Sequence, residues 1–129
     1  MKVFIADDSD VVRDRLIEMI SEIKGVEITG QARTASEAIQ AIVKLKPDVV
    51  VLDIRMPAGN GIHVLEMIKK LKLDAKIIML TNYPYPQYRQ KCFKAGADFF
   101  FDKDTEFVQV SEVLKDLINK ASDGNGKEI

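Results

Sequence analysis

The sequence predicts an α/β fold, a doubly wound parallel sheet of five strands in the order 2-1-3-4-5 with helices on both faces. Three observations predict the α/β architecture, and 2-1-3-4-5 is a common order for such a sheet. Short β-branched apolar runs alternate with stretches of helical period, giving five strand-then-helix units along 129 residues. Two of the runs, Val49-Val50-Val51-Leu52 and Ile77-Ile78-Met79-Leu80, are continuously apolar, as central parallel strands covered on both faces are. Polar residues recur where these strands end.

The strands are expected at Lys2 to Ala6, Val26 to Ala32, Asp48 to Asp53, Lys76 to Thr81 and Asp98 to Asp102. In the first helix Val12, Leu16, Ile20 and Ile23 form one apolar stripe, and in the second Ala35, Ala38, Ile39, Ile42 and Val43 form the next. Thr34 followed by Glu37 reads as a capping box at the start of the second helix. The third helix, from about Gly61, aligns Ile62, Leu65, Ile68 and Leu71 after a loop holding Pro57, Gly59 and Asn60. Proline is tolerated in a first helical turn, so the fourth helix starts near Pro86 and ends at Gly96. A fifth carries Phe107, Val110, Val113, Leu114, Leu117 and Ile118. The domain is therefore expected to span residues 1–121, and the polar, Gly-containing stretch 122–129 to form a flexible tail.

Composition narrows the functional classes. Hydrophobic residues make up 47% and charged residues 30%, as in one ordinary globular domain. Nineteen Lys and Arg against twenty Asp and Glu give a net charge of −1, so no electrostatic surplus favours a phosphate backbone or an anionic membrane. The apolar runs fall far short of the ~20 residues that span a bilayer. The N-terminal run meets Asp7-Asp8 too soon for a secretory leader, whose apolar core needs roughly 7–15 residues. The chain is expected in the cytoplasm. Cys92 stands alone, which excludes an internal disulfide, and is read as a small buried hydrophobe. His63, the single histidine, lacks the companions of a metal site.

Parallel α/β sheets carry their chemistry at the carboxyl ends of the strands. Asp7 and Asp8 end the first strand, Asp53 the third and Thr81 the fourth, and Lys103 follows the fifth. In the expected order the first and third strands are neighbours, which gathers three carboxylates into one crevice. Like charges a few ångströms apart raise one another's pKa, so positive charge must sit among them. Mg²⁺ suits such a set, because it takes oxygen ligands and typically shares one or two carboxylates with phosphate oxygens; Lys103 supplies a second positive charge. The run Asp7-Asp8-Ser9-Asp10 also reads as a helix N-cap region, but Asp53 has no capping role at a plausible distance.

These residues resemble those of the receiver domain of two-component response regulators, over residues 2 to 121. The resemblance rests on Asp7-Asp8, on Val50-Val51-Leu52-Asp53-Ile54-Arg55-Met56-Pro57 followed by Gly59-Asn60-Gly61, on Thr81, on Ala95-Gly96-Ala97, and on Lys103, all in order. It implies the flavodoxin-like (βα)5 arrangement. It also implies that Asp53 is the phosphoacceptor, charged by a histidine kinase, a phosphotransfer protein or a small donor such as acetyl phosphate. Mg²⁺ would be held by Asp8, Asp53 and the main-chain carbonyl of Arg55, with Asp7 acting through water. Thr81 and Lys103 would each bind a phosphoryl oxygen. Thr81 and Phe100 would form the switch, since strand alternation sets Phe100 opposite Phe99 and Phe101. Arg55 and Tyr83 occupy positions that modulate phosphoryl lifetime in the family, and a bulky Tyr83 would obstruct the hydrolytic water.

The implied output face is the fourth helix, fifth strand and fifth helix, where Tyr85, Tyr88 and Arg89 would meet a protein partner or, after phosphorylation, a second copy. Direct nucleic-acid binding would need a further domain, which 122–129 is too short to form. One departure from the family pattern is Asp104, where proline usually follows the lysine; Asp104 is then placed to cap the fifth helix. An alternative is a Mg²⁺-dependent phosphohydrolase with an aspartate nucleophile, but that family carries Asp-x-Asp and a cap insertion. A receiver that docks without being phosphorylated is a third reading, opposed by the retention of Asp8, Asp53, Thr81 and Lys103 together.

Overall fold

In a computed structural model, backbone is described for residues 1–57 and 59–127 and side chains through residue 121. The elements alternate as β1 (Lys2–Ala6), α1 (Asp10–Ser21), β2 (Glu27–Ala32), α2 (Ala35–Leu45), β3 (Val49–Leu52), α3 (Gly61–Lys70), β4 (Lys76–Thr81), α4 (Pro86–Lys94), β5 (Phe99–Asp102) and α5 (Gln109–Lys127). The strands form one sheet in the order β2-β1-β3-β4-β5, every pairing parallel, as predicted. The tail expectation falls mainly outside the described side chains. α5 itself continues through Lys127, and residues 128–129 are not described.

The sheet is buried on both sides because its side chains alternate. Val50, Leu52, Ile77 and Met79 pack with Ala38 and Ile42 of α2 and with Val64, Leu65 and Ile68 of α3, and Cys92 of α4 joins them. Val49, Val51, Ile78 and Leu80 point the other way, against Leu16 and Ile20 of α1 and Val110 and Leu114 of α5. Each Val, Leu or Ile side chain fully removed from water contributes roughly 1.5–3 kcal/mol before chain entropy is subtracted. The near-continuous apolar character of β3 and β4 follows from this two-sided burial. Cys92 is among the buried residues, and burial pushes its thiol pKa up to about 11, which leaves it protonated and inert.

Side-chain caps start three of the helices on the site side of the sheet. Ser9 Oγ accepts from Val12 N–H at 3.2 Å, Thr34 Oγ1 from Glu37 N–H at 3.1 Å, and Asn60 Oδ1 from His63 N–H at 2.9 Å. The capping box is half formed: Glu37 reaches back to Arg33 N–H, at 3.5 Å, in place of the cap residue's own N–H. Asp104 does not cap α5, which begins only at Gln109. The loop after Lys103 closes on itself instead, with Asp104 N–H donating to Asp102 Oδ1 at 2.8 Å and Asp102 N–H to Glu106 Oε1 at 3.1 Å.

Candidate functional site

The strand ladders deliver the polar residues to one edge of the sheet. One residue past β1, Asp7 N–H donates to Ala32 O at 3.0 Å, and one residue past β3, Asp53 N–H donates to Ala6 O at 3.0 Å. Lys103 N–H donates to Thr81 O at 2.9 Å in the same way. The backbone hydrogen bonds of the sheet therefore run directly into the site, and the side chains there inherit the rigidity of the core.

Asp53 is buried, with 5% of its surface exposed. Its Oδ1 accepts from Ile54 N–H at 2.7 Å and its Oδ2 from Lys103 Nζ at 3.0 Å. The same ammonium lies 2.6 Å from Asp7 Oδ2, and Asp7 Oδ1 accepts from Ser9 N–H at 2.8 Å. Burial raises the Asp53 carboxyl pKa to about 6, opposed by the Lys103 charge and reinforced by Asp7. Burial works against the Lys103 ammonium too, but its hydrogen bonds and attraction to Asp7 and Asp53 outweigh it and hold the pKa above the ordinary value. Lys103 thus remains charged, and Asp53 is a carboxylate of raised basicity at neutral pH.

Asp8 completes the acidic group. Oxygen atoms of Asp7, Asp8 and Asp53 all lie within 4.8 Å of one another, and Asp8, unlike the other two, is exposed. Among the described residues no hydrogen bond or ion pair engages its carboxylate. When all three carboxylates are ionised, one ammonium leaves a deficit of two positive charges. The donors are hard oxygens, one of them open to solvent, which is the donor chemistry that suits a hard divalent cation.

The remaining predicted residues lie on β4, α4 and β5, at the start of α3, and in the loops that follow β3 and β4. Thr81 is fully buried, and its Oγ1 accepts from Tyr83 N–H at 3.0 Å, which leaves the hydroxyl proton to be donated elsewhere. The Arg55 guanidinium stacks 4.0 Å from the Tyr83 ring centroid, so the two rim positions touch. Phe99 and Phe101 stack on the α1/α5 side, whereas Phe100 is buried on the other, 6.4 Å from Phe93. Arg89 donates to Phe100 O at 3.3 Å, and the Tyr85 and Tyr88 rings lie 5.9 Å apart nearby on the α4 side. His63 is exposed at the start of α3, away from any metal cluster found among the described residues.

Two residues that hold the site escaped sequence reasoning. Gly61 packs so closely that a Cβ there would collide with the main-chain carbonyl of Asp53, and its N–H donates to Ile54 O at 2.6 Å. The Gly59-Asn60-Gly61 run marked a loop, but which glycine met which backbone was not encoded locally. Arg13 has 8% of its surface exposed and bonds the main-chain carbonyl of Asp7. A charged residue between Val12 and Leu16 on an apolar stripe was the available signal.

Comparison with known proteins shows the family and the fold. The sequence pattern of the family described as the response regulator receiver domain matches residues 3–115. A transcriptional regulatory protein of Bacillus subtilis, YvfU, is 32% identical over 92% of the chain and 59% of its own length. The activator DevR/DosR of Mycobacterium tuberculosis is 31% identical over 91% of the chain and 54% of its own length. The chain thus spans about half the length of these curated relatives. Among solved structures, the response regulator domain of Thermotoga maritima CheB is similar with a TM-score of 0.81 and 30% identity, covering 94% of this chain and 95% of that one. Borrelia burgdorferi CheY, solved with CheX, BeF₃ and Mg²⁺, gives a TM-score of 0.83 at 27% identity, with 92% and 89% covered.

Proposed function

This chain belongs to the response regulator receiver domain family of two-component signalling, and from that premise we infer that Asp53 is the phosphoacceptor of its switch. The observation that carries the reading is Lys103 Nζ, held between Asp7 and Asp53 beside the open carboxylate of Asp8. In the reaction Asp53 attacks the phosphorus of a phosphohistidine or acyl phosphate; the bond to the donor's nitrogen or oxygen breaks, and its electron pair leaves with the donor. The raised basicity of Asp53 strengthens it as a nucleophile, while Ile54 N–H and Lys103 hold its oxygens in place. Asp8, Asp53 and the Arg55 main-chain carbonyl would hold Mg²⁺, with Asp7 ordering a coordinated water. When bound, the ion supplies neutralisation of the charge spread over the phosphoryl oxygens.

A phosphoryl group brings about −1.5 to −2 charge and several acceptor oxygens. Lys103 exchanges its Asp53 contact for one of these oxygens, and the Thr81 hydroxyl donates to another. Thr81 carries the β4–α4 loop with it through the bond from Tyr83 N–H. Phe100 lies buried on β5, beside Met79 of β4 and against Phe93 of α4, and its repositioning would alter the face made by α4, β5 and α5. To move the two-state equilibrium from 1:99 to 99:1 the phosphoryl contacts must favour the active state by ~5.5 kcal/mol. Tyr83, braced by Arg55, shields the phosphoryl from water and lengthens its lifetime.

The proposed partners are a sensor histidine kinase or phosphotransfer protein on the input side and a protein on the output face, with homodimerisation on phosphorylation as one form of output. The domain acts in the cytoplasm, assists its own phosphorylation without being an enzyme for other substrates, and makes no direct contact with nucleic acid or membrane. No described helix is long and apolar enough to cross a membrane. The phosphohydrolase alternative is not favoured, because the receiver pattern covers the whole site and Asp7-Asp8-Ser9 lacks Asp-x-Asp. Incubation with acetyl phosphate, with and without Mg²⁺, tests the reading by intact mass. One Mg²⁺-dependent phosphoryl adduct, lost in Asp53→Asn, is expected. If no adduct forms and beryllofluoride with Mg²⁺ leaves the Asp53 and Thr81 amide signals unmoved, the switch is refuted.

A further inference from the structure

From the hydrogen bonds beneath the acidic group we propose that Arg13 is a positioning residue: it locks the peptide between Asp7 and Asp8 and thereby aims Asp8 at the cation. The inference rests on the reading of this group as a Mg²⁺ site. Arg13 sits one turn into α1, nearly buried, with each guanidinium nitrogen engaged. Its Nη1 donates to Asp7 O at 2.6 Å, its Nε to Gln31 Oε1 at 2.8 Å, and its Nη2 pairs with Asp10. A side chain so fully committed is a bracket rather than a free surface charge.

The residue that needs the bracket is Asp8. Asp7 is fixed through both carboxylate oxygens, by Ser9 N–H and Lys103, and Asp53 likewise by Ile54 N–H and Lys103. Asp8 is exposed, and among the described residues no such bond holds its side chain. Its direction depends on the backbone that enters it. That backbone lies beyond the last paired residue of β1, where Asp7 N–H is held by Ala32 O of β2 and Asp7 O by Arg13. Both backbone polar groups of Asp7 are therefore tied, the second, among the described residues, only through Arg13. Gln31, on β2, extends the bracket to the edge of the sheet.

The sign of one measurement separates this role from simple electrostatics. As a nearby positive charge alone, Arg13 would repel a cation, and its removal would tighten Mg²⁺ binding. As a bracket, its removal weakens binding, because loss of an outer partner of a metal ligand typically costs roughly 10–100-fold in affinity. Mg²⁺ alone is titrated into the full chain, following the Asp8 and Asp53 amide signals by NMR well below the melting temperature of each variant. Arg13→Gln is expected to weaken binding about tenfold, with Arg13→Lys in between. Gln31→Leu, which keeps the guanidinium but removes one anchor, is expected to weaken it by a smaller factor. It also serves if Arg13→Gln does not fold. Unchanged or tighter binding in Arg13→Gln, or in Gln31→Leu where that variant stands in, overturns the proposal. Absence of Mg²⁺ binding in the unsubstituted chain overturns the site reading itself. Metal-free hydrogen exchange at Ser9 N–H then judges the bracket separately: faster exchange in Arg13→Gln supports it, and unchanged exchange overturns it.

Discussion

Asp53→Asn is predicted to stabilise the metal-free protein at neutral pH. The substitution keeps the shape of the side chain and removes its charge from a nearly dry site. Burial holds the Asp53 carboxyl near a pKa of about 6 against an ordinary 3.8. At ~1.4 kcal/mol for each tenfold change in proton affinity, that difference amounts to about 3 kcal/mol. The sign follows from linkage. The folded protein binds this proton more tightly than the unfolded chain, so the group costs nothing below pH 4. Its cost grows as pH rises, and is complete above pH 6. Asparagine does not titrate, but it has one acceptor where the carboxylate has two, so with its oxygen turned to Lys103 the Ile54 N–H loses its partner, and a gain of about 2 kcal/mol is expected at pH 7.5. In a domain of this size that corresponds to roughly 10 °C in melting temperature. Urea unfolding of both proteins in EDTA at pH 7.5 and pH 4 reads it. The gain should shrink to near zero at pH 4, and Mg²⁺ should narrow it at pH 7.5 by stabilising the unsubstituted protein through binding. A variant less stable than its parent at pH 7.5, or a gain that does not change with pH, would refute the reasoning.

Three further substitutions probe other parts of the site. Gly61→Ala drives a Cβ into the Asp53 carbonyl; it should cost ~2–3 kcal/mol in urea unfolding and slow phosphorylation, whereas a silent outcome would show that this backbone approach is dispensable. Lys103→Met leaves two buried carboxylates without their ammonium. A loss of about 3 kcal/mol at pH 7.5 is expected, smaller at pH 4, where Asp53 becomes neutral, together with loss of the phosphoryl adduct by mass. Tyr83→Ala removes the aromatic surface under Arg55; severalfold faster decay of the phosphorylated form is predicted by timed intact-mass measurements, and an unchanged decay rate would sink the shielding role.

The legibility of this molecule in its sequence follows from which interactions are local. Strand and helix periodicity is local, so all ten elements were readable; the strand order is not local and followed only from taking the alternation as a doubly wound sheet. Boundaries shifted at ends such as Asp48 and Asp53, which lie outside the paired segment of β3, and at α5, which starts at Gln109 and runs on through Lys127. The acidic group was readable because parallel topology places every strand's carboxyl end on one edge, so Asp7, Asp8, Asp53, Thr81 and Lys103 needed no side-chain detail to be gathered there. Gly61 and Arg13 were not readable, since each acts on a main-chain carbonyl, of Asp53 and of Asp7, and a carbonyl leaves no mark on residue identity. Asp104 failed for the opposite reason. A plausible local capping signal lost to the turn that Asp102 and Glu106 close between themselves, which postpones the helix to Gln109. The side chains that perform the chemistry can therefore be named from pattern, whereas the contacts that hold them at working distance are made to the backbone of remote segments. A variant of the reactive Asp53 tests what this site does, and variants of Gly61 and Arg13 test why it is built well enough to do it.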